Sequence, residues 1–114
     1  MSKVFERLLD ERLQDPEFRR EYAVESARIA AIDVVINDLD DAREESNLSK
    51  AQLARAIGAN PSVVRRLFSA QTVNPTLATV AELAAVLGLK VTLTPMTAEE
   101  RERLTDPIRA AVVG

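Results

Sequence analysis

The stretch Gly58-Ala59-Asn60-Pro61 constrains this chain more than any other, because it closes one helix and opens the next at once. A left-handed backbone position is cheap only for glycine, so Gly58 ends the helix before it. Asn60 suits the capping position of the following helix, and Pro61 suits its first position, where no N–H is needed. The apolar residues agree with two short helices meeting at a tight turn. Leu53, Ala54 and Ile57 form a stripe on the first, and Val64, Leu67 and Phe68 form one on the second. Ala54 is small enough for the second helix to cross closely. Burial of these stripes leaves Ser62, Val63, Arg65 and Arg66 on other faces.

The same stretch lies in a window with no acid. From Ser46 through Ala81 there is no Asp or Glu, while Lys50, Arg55, Arg65 and Arg66 supply four positive charges. Residues 1–45 carry 7 basic and 13 acidic side chains, and residues 82–114 carry 4 and 5. A chain of net charge −3 therefore holds one basic module, an asymmetry that points to polyanion binding.

Composition excludes several other classes. There is no Cys, so disulfides and thiolate metal sites are out, and a reducing compartment is natural. There is no His, the commonest general base and metal ligand. The acid pairs Asp40-Asp41 and Glu99-Glu100 have no Gly-rich loop or nucleophile–base pair beside them, so neither an enzyme nor a metal or cofactor site is expected. The first residues are charged where a signal peptide needs an apolar run, and Leu67–Ala81 is too short and polar to span a bilayer. A soluble cytoplasmic protein is expected.

Nearly every other segment reads as helix. Val4, Phe5, Leu8, Leu9 and Leu13 recur at helical spacing, with a stop near Gln14. Asp15-Pro16-Glu17 starts a second helix, which continues through Phe18, Tyr22, Ile29, Ile32, Ile36 and Leu39, either unbroken or divided near Asn37. Asn47 is a left-handed stop and Ser49 the next cap. A helix over Thr76–Leu87 turns Leu77, Val80, Leu83, Ala84 and Leu87 inward and ends at Gly88. Lys90–Thr94 is β-branched and closed by Pro95, so it reads as a short strand. That strand needs a partner, either in the same chain or in a two-fold mate. Thr97-Ala-Glu-Glu100 has the form of a capping box, and Asp106-Pro107 is expected to break the helix it starts.

Two short helices at a Gly-containing turn, the second with free polar residues near its N-terminus, form a helix-turn-helix. The pattern Leu48-Ser49-Lys50, Gln52-Leu53-Ala54, Ile57-Gly58, Val64 and Leu67 resembles the Cro/phage-repressor class. Asn74-Pro75-Thr76-Leu77 and Ala84, Leu87 and Gly88 continue the likeness. The resemblance implies a DNA interface made of Lys50, Pro61, Ser62, Val63, Arg65, Arg66, Gln71, Thr72 and Asn74. In it Arg66 would pair with guanine, and Val63 would pack on a thymine methyl. Ser62 would bond a base or a phosphate. Lys50 and Arg65 would contact phosphates, as would the loop residues Gln71, Thr72 and Asn74. Pro61 departs from the usual polar residue and cannot donate. As isolated residues, Arg65 and Arg66 would pass for solvated surface charges; their place on the second helix favours DNA.

A second likeness surrounds the first. Phe5-Glu6, Leu8-Leu9, Asp15-Pro16-Glu17-Phe18-Arg19 and Tyr22 resemble the amino-terminal extension of HigA-like antitoxins, as does the run from Asn74 to Val91. That resemblance implies a homodimer that binds a palindromic double-stranded DNA operator, represses its own operon and neutralises a small basic ribonuclease-type toxin. Phe5, Leu8, Leu9, Phe18 and Tyr22 are then candidate toxin contacts, although the aromatics would equally close the protein's own core. The acids from Glu6 to Glu25 would complement such a toxin and keep that end off DNA.

The expected fold is mainly α. A five-helix-type helix-turn-helix domain over residues 32–90 follows an N-terminal helical extension over 1–31. A strand and helix over 91–114 form a candidate dimerisation segment. A stand-alone regulator without a toxin, and an adaptor that no longer touches DNA, are the competing readings.

Overall fold

The computed structural model describes residues 2–69 and 74–113, and it is mainly helical. It divides into two compact units, Ile32–Leu93 and Met1–Ala31 with Thr94–Gly114. The helices are α1 (Lys3–Arg12), α2 (Pro16–Glu45), α3 (Lys50–Ala56), α4 (Pro61–Phe68), α5 (Leu77–Val86), α6 (Ala98–Glu100) and α7 (Asp106–Val113). Arg101–Thr105 forms a π-helical stretch between the last two.

Local chemistry explains the starts and stops. The Ser2 side chain accepts from the Phe5 N–H at 3.1 Å and opens α1. Asp15 Oδ1 accepts from the Glu17 N–H at 3.0 Å and opens α2. Helix α2 runs unbroken for 30 residues, so the division near Asn37 does not occur. Asn within a helix costs only a few tenths of a kcal/mol relative to its neighbours, and neither Gly nor Pro is present to break the ladder. It ends where Asn47 takes φ 57°. The Leu48 N–H then bonds the Arg43 carbonyl at 3.2 Å, satisfying a group the helix end would otherwise orphan. Gly58 at φ 70° and Gly88 at φ 74° close α3 and α5 in the same way. Their successors Ala59 and Leu89 donate back to Ala54 and Ala84 at 2.9 and 2.7 Å.

In the unit Ile32–Leu93 the amphipathic stripes converge on one core. Leu39 of α2, Leu53 and Ala54 of α3, Val64 and Leu67 of α4, and Val80, Leu83 and Ala84 of α5 are buried together. Ile36, Ile57, Phe68 and Leu87 pack around them, half-buried. Leu77 departs from the expected inward face and is 72% exposed. It is the first residue of α5, and the stripe at three- and four-residue spacing passes the edge of the core one turn before reaching it.

Two further expectations are corrected. No strand exists among the described residues, and Lys90–Thr94 is neither helix nor ladder. A strand requires a hydrogen-bonding neighbour, and this segment has none in a single chain. The five-helix count also fails: within Ile32–Leu93 the described helices are the second half of α2, then α3, α4 and α5. The β-branched run and Pro95 after Gly88 give a further helix no start.

In the other unit, Thr97 and Glu100 form the capping box that opens α6. Pro107 does not break the helix that follows. The turn before it widens instead, with the Asp106 N–H bonding the Arg101 carbonyl five residues back. A proline ring clashes with the carbonyl four residues earlier, and a π turn relieves that clash without ending the helix.

Candidate nucleic-acid interface

The candidate interface is built from the α3–α4 pair. A reciprocal box fixes the start of α3: Ser49 Oγ accepts from the Gln52 N–H at 3.0 Å, and Gln52 Oε1 accepts from the Ser49 N–H at 2.8 Å. Gln52 is thereby committed to the cap, and Lys50 stands at the first helical position, half-buried. Burial of Leu53, Ala54, Val64 and Leu67 sets the crossing of α4 over α3 and aims its remaining faces outward.

On α4, Ser62, Val63, Arg65 and Arg66 are exposed and Pro61 is half-buried. Val63 and Arg66 are three residues apart, as are Ser62 and Arg65, so the four side chains share a continuous outward surface. Among the described residues no acid lies within ion-pair distance of Lys50, Arg65 or Arg66. Their charge is therefore free for an outside anion. Asn74 is exposed beyond the helix, and Gln71 and Thr72 lie outside the described residues.

The cap of α4 changes the role open to Ser62. Asn60 Oδ1 accepts from both the Ser62 N–H and the Ser62 hydroxyl, each at 2.9 Å. With its proton held by Asn60, the hydroxyl presents lone pairs outward. A phosphate oxygen is only an acceptor, so a phosphate contact from Ser62 would require turning the hydroxyl away from Asn60, with the backbone half of the cap left in place. A base-edge donor would not.

Arg43 is a structural contributor that the sequence did not single out. Its guanidinium bonds Asp40 Oδ1 at 2.8 Å and the Leu48 carbonyl at 2.9 Å, and lies 6.0 Å from the centre of the Phe68 ring. One half-buried side chain thus ties the end of α2, the turn into α3 and the end of α4 together. The signal was an Asp three residues before an Arg in the last turn of a helix, a spacing also common on solvated surfaces.

In the N-terminal unit, the five residues suggested as toxin contacts come together. Phe5, Leu8 and Leu9 of α1, with Phe18 and Tyr22 of α2 and Arg12, line a groove of about 440 Å³. The Phe18 and Tyr22 rings are 6.2 Å apart, and the Arg12 guanidinium lies 5.8 Å from the Phe18 centroid. Phe5 and Leu8 are more than half exposed, so these residues do not form a closed core.

A family model described as helix-turn-helix matches residues 39–93, spanning the end of α2 through the segment after α5. The match supports a helix-turn-helix of the Cro/repressor type and a DNA-binding transcription regulator. No curated protein and no solved structure matches the chain. No helix among the described residues is long and apolar enough to cross a membrane.

Proposed function

We propose, from the premise that residues 39–93 are a DNA-binding helix-turn-helix, that this chain is an antitoxin and autorepressor. It acts as a cytoplasmic homodimer without catalysis, binds a palindromic operator through α4 and its symmetry mate, and neutralises a small basic ribonuclease-type toxin. The observation that carries the DNA half is the exposed, unpaired set of Arg65 and Arg66 beside Ser62 and Val63 on α4. What supports the toxin half is the apolar groove of Phe5, Leu8, Leu9, Phe18 and Tyr22 in the other unit. Since the family match begins at Leu39, a stand-alone regulator is the second reading.

The test is a binding titration on the protein's own promoter. Affinity should fall steeply with salt, because displaced counterions supply much of it. Arg66→Ala should cost about 1–3 kcal/mol at one base position and relax specificity there. Arg65→Ala should weaken all sequences alike and lower the salt slope by about 1. No binding at low salt would refute the operator role. Co-purification with the product of an adjacent gene separates the antitoxin from the stand-alone regulator.

A further inference from the structure

The acid excess before Ser46 is unevenly placed. Residues 1–31 carry 6 basic and 7 acidic side chains, while residues 32–45 carry Arg43 alone against Asp33, Asp38, Asp40, Asp41, Glu44 and Glu45. The strongest negative charge thus belongs to the helix-turn-helix unit itself. Arg43 pairs with Asp40 at 2.8 Å and Glu44 at 3.6 Å. Asp38, Asp41 and Glu45 are exposed and, among the described residues, have no Lys or Arg within ion-pair distance. At spacings of three and four they stand on one face of α2.

Beside that acidic row lies an apolar floor. Val35 and Leu39 of α2, Val80 and Ala84 of α5, and Leu89 and Val91 after it line a groove of about 460 Å³, with the three carboxylates and a single cation, Lys90, along its wall. Val35, Leu89 and Val91 are 38%, 43% and 49% exposed, so the floor is open to a ligand. Every lining residue belongs to the unit Ile32–Leu93, and none comes from α3 or α4.

We infer that this groove seats a cationic amphipathic segment of another protein chain. The floor offers apolar burial, and the wall offers charge for Lys or Arg on the segment's polar edge. A second copy of this chain fits less well, since it would bring three more carboxylates against only one further Lys90. Nucleic acid is repelled by the wall. The three carboxylates are strung along α2 at spacings of three and four, so the wall suits positive charge spread along a chain. Because α3 and α4 contribute nothing to the groove, the segment and DNA bind at the same time. The inference rests on the groove's chemistry and not on the proposed toxin.

The experiment uses the full chain, isotope-labelled, titrated with a synthetic amphipathic peptide of Leu and Lys and followed by amide NMR shifts. Shifts should concentrate at Val35, Leu39, Val80, Ala84, Leu89 and Val91, with none from the same peptide carrying Glu in place of Lys. The triple variant D38N/D41N/E45Q should bind the Leu/Lys peptide roughly tenfold more weakly, three exposed charge pairs being lost. Val91→Lys, in a segment outside any helix, provides a second variant that should abolish the shifts, because it fills the apolar floor and repels the peptide's Lys side chains. Added promoter DNA should leave the peptide affinity unchanged. Shifts centred on Phe5, Leu8 and Tyr22, equal binding by both variants, or concentration-dependent groove shifts without peptide would each overturn the inference.

Discussion

The two units use the same raw material in opposite ways. Both are helical, and both carry apolar residues at three- and four-residue spacing. In Ile32–Leu93 those stripes meet, and Leu53, Val64 and Leu83 lose all contact with solvent. In α1 no residue is buried, and Val4, Phe5 and Leu8 remain 65%, 53% and 54% exposed. Helical periodicity reveals that a face is apolar but not what covers it. A core is recognised only when several stripes share one interior, and capped turns close together in sequence make that happen in the first unit.

The sharpest way to break this contrast is truncation on each side. Leu53→Ala should cost about 2–5 kcal/mol in urea denaturation, since it opens a cavity in a closed core. Leu8→Ala should stay within about 0.5 kcal/mol. An equal loss from Leu8→Ala would mean that the N-terminal face is core after all. Gly58→Ala comes next, at about 1–2 kcal/mol. Nothing lies within 4 Å of the added Cβ, so that cost arises from the backbone at φ 70° and not from a clash. Ser49→Ala should cost about 1 kcal/mol by removing the side-chain half of the α3 box.

The smallest effect lies in the C-terminal segment. The Glu100 carboxyl is held below its ordinary range, chiefly by the Thr97 backbone N–H and then by the Thr97 hydroxyl. A carboxyl lowered by folding contributes stability above its unfolded pKa, and that contribution disappears as pH falls through the folded value. NMR titration should therefore find the Glu100 carboxyl deprotonating at a lower pH in the folded chain than in the unfolded one. Glu100→Gln, which keeps the hydrogen-bonding reach, should remove that pH dependence of local helicity.

What was legible in the sequence was what local chemistry decides. Asn47, Ser49, Gly58, Asn60 and Gly88 act through backbone angle or bonds to residues a few positions away, Pro61 through its fixed φ and missing N–H, and their roles follow from their types. What was not legible depends on residues elsewhere. Lys90–Thr94 has strand-forming side chains but, among the described residues, no strand to pair with. Leu77 has the right spacing but lies past the core's edge, and Pro107 keeps its helix because the preceding turn can widen. Arg43 was hidden for another reason: a guanidinium that bridges three segments looks in sequence like one more surface charge. The candidate contacts on α4 were readable because the buried positions Val64 and Leu67 leave so few other places for its polar residues.

The capping of α4 also bears on which letters an operator can carry. Asn60 holds the single hydroxyl proton of Ser62, so while that bond is kept the oxygen offers only lone pairs to a partner. Adenine and cytosine each project an amino group into the major groove, while guanine and thymine show acceptors, thymine adding a methyl. A base placed opposite Ser62 is rewarded only when it brings a hydrogen of its own. If the proposed operator contact is made there, half the alphabet could answer, with the bond to Asn60 two residues away making the choice.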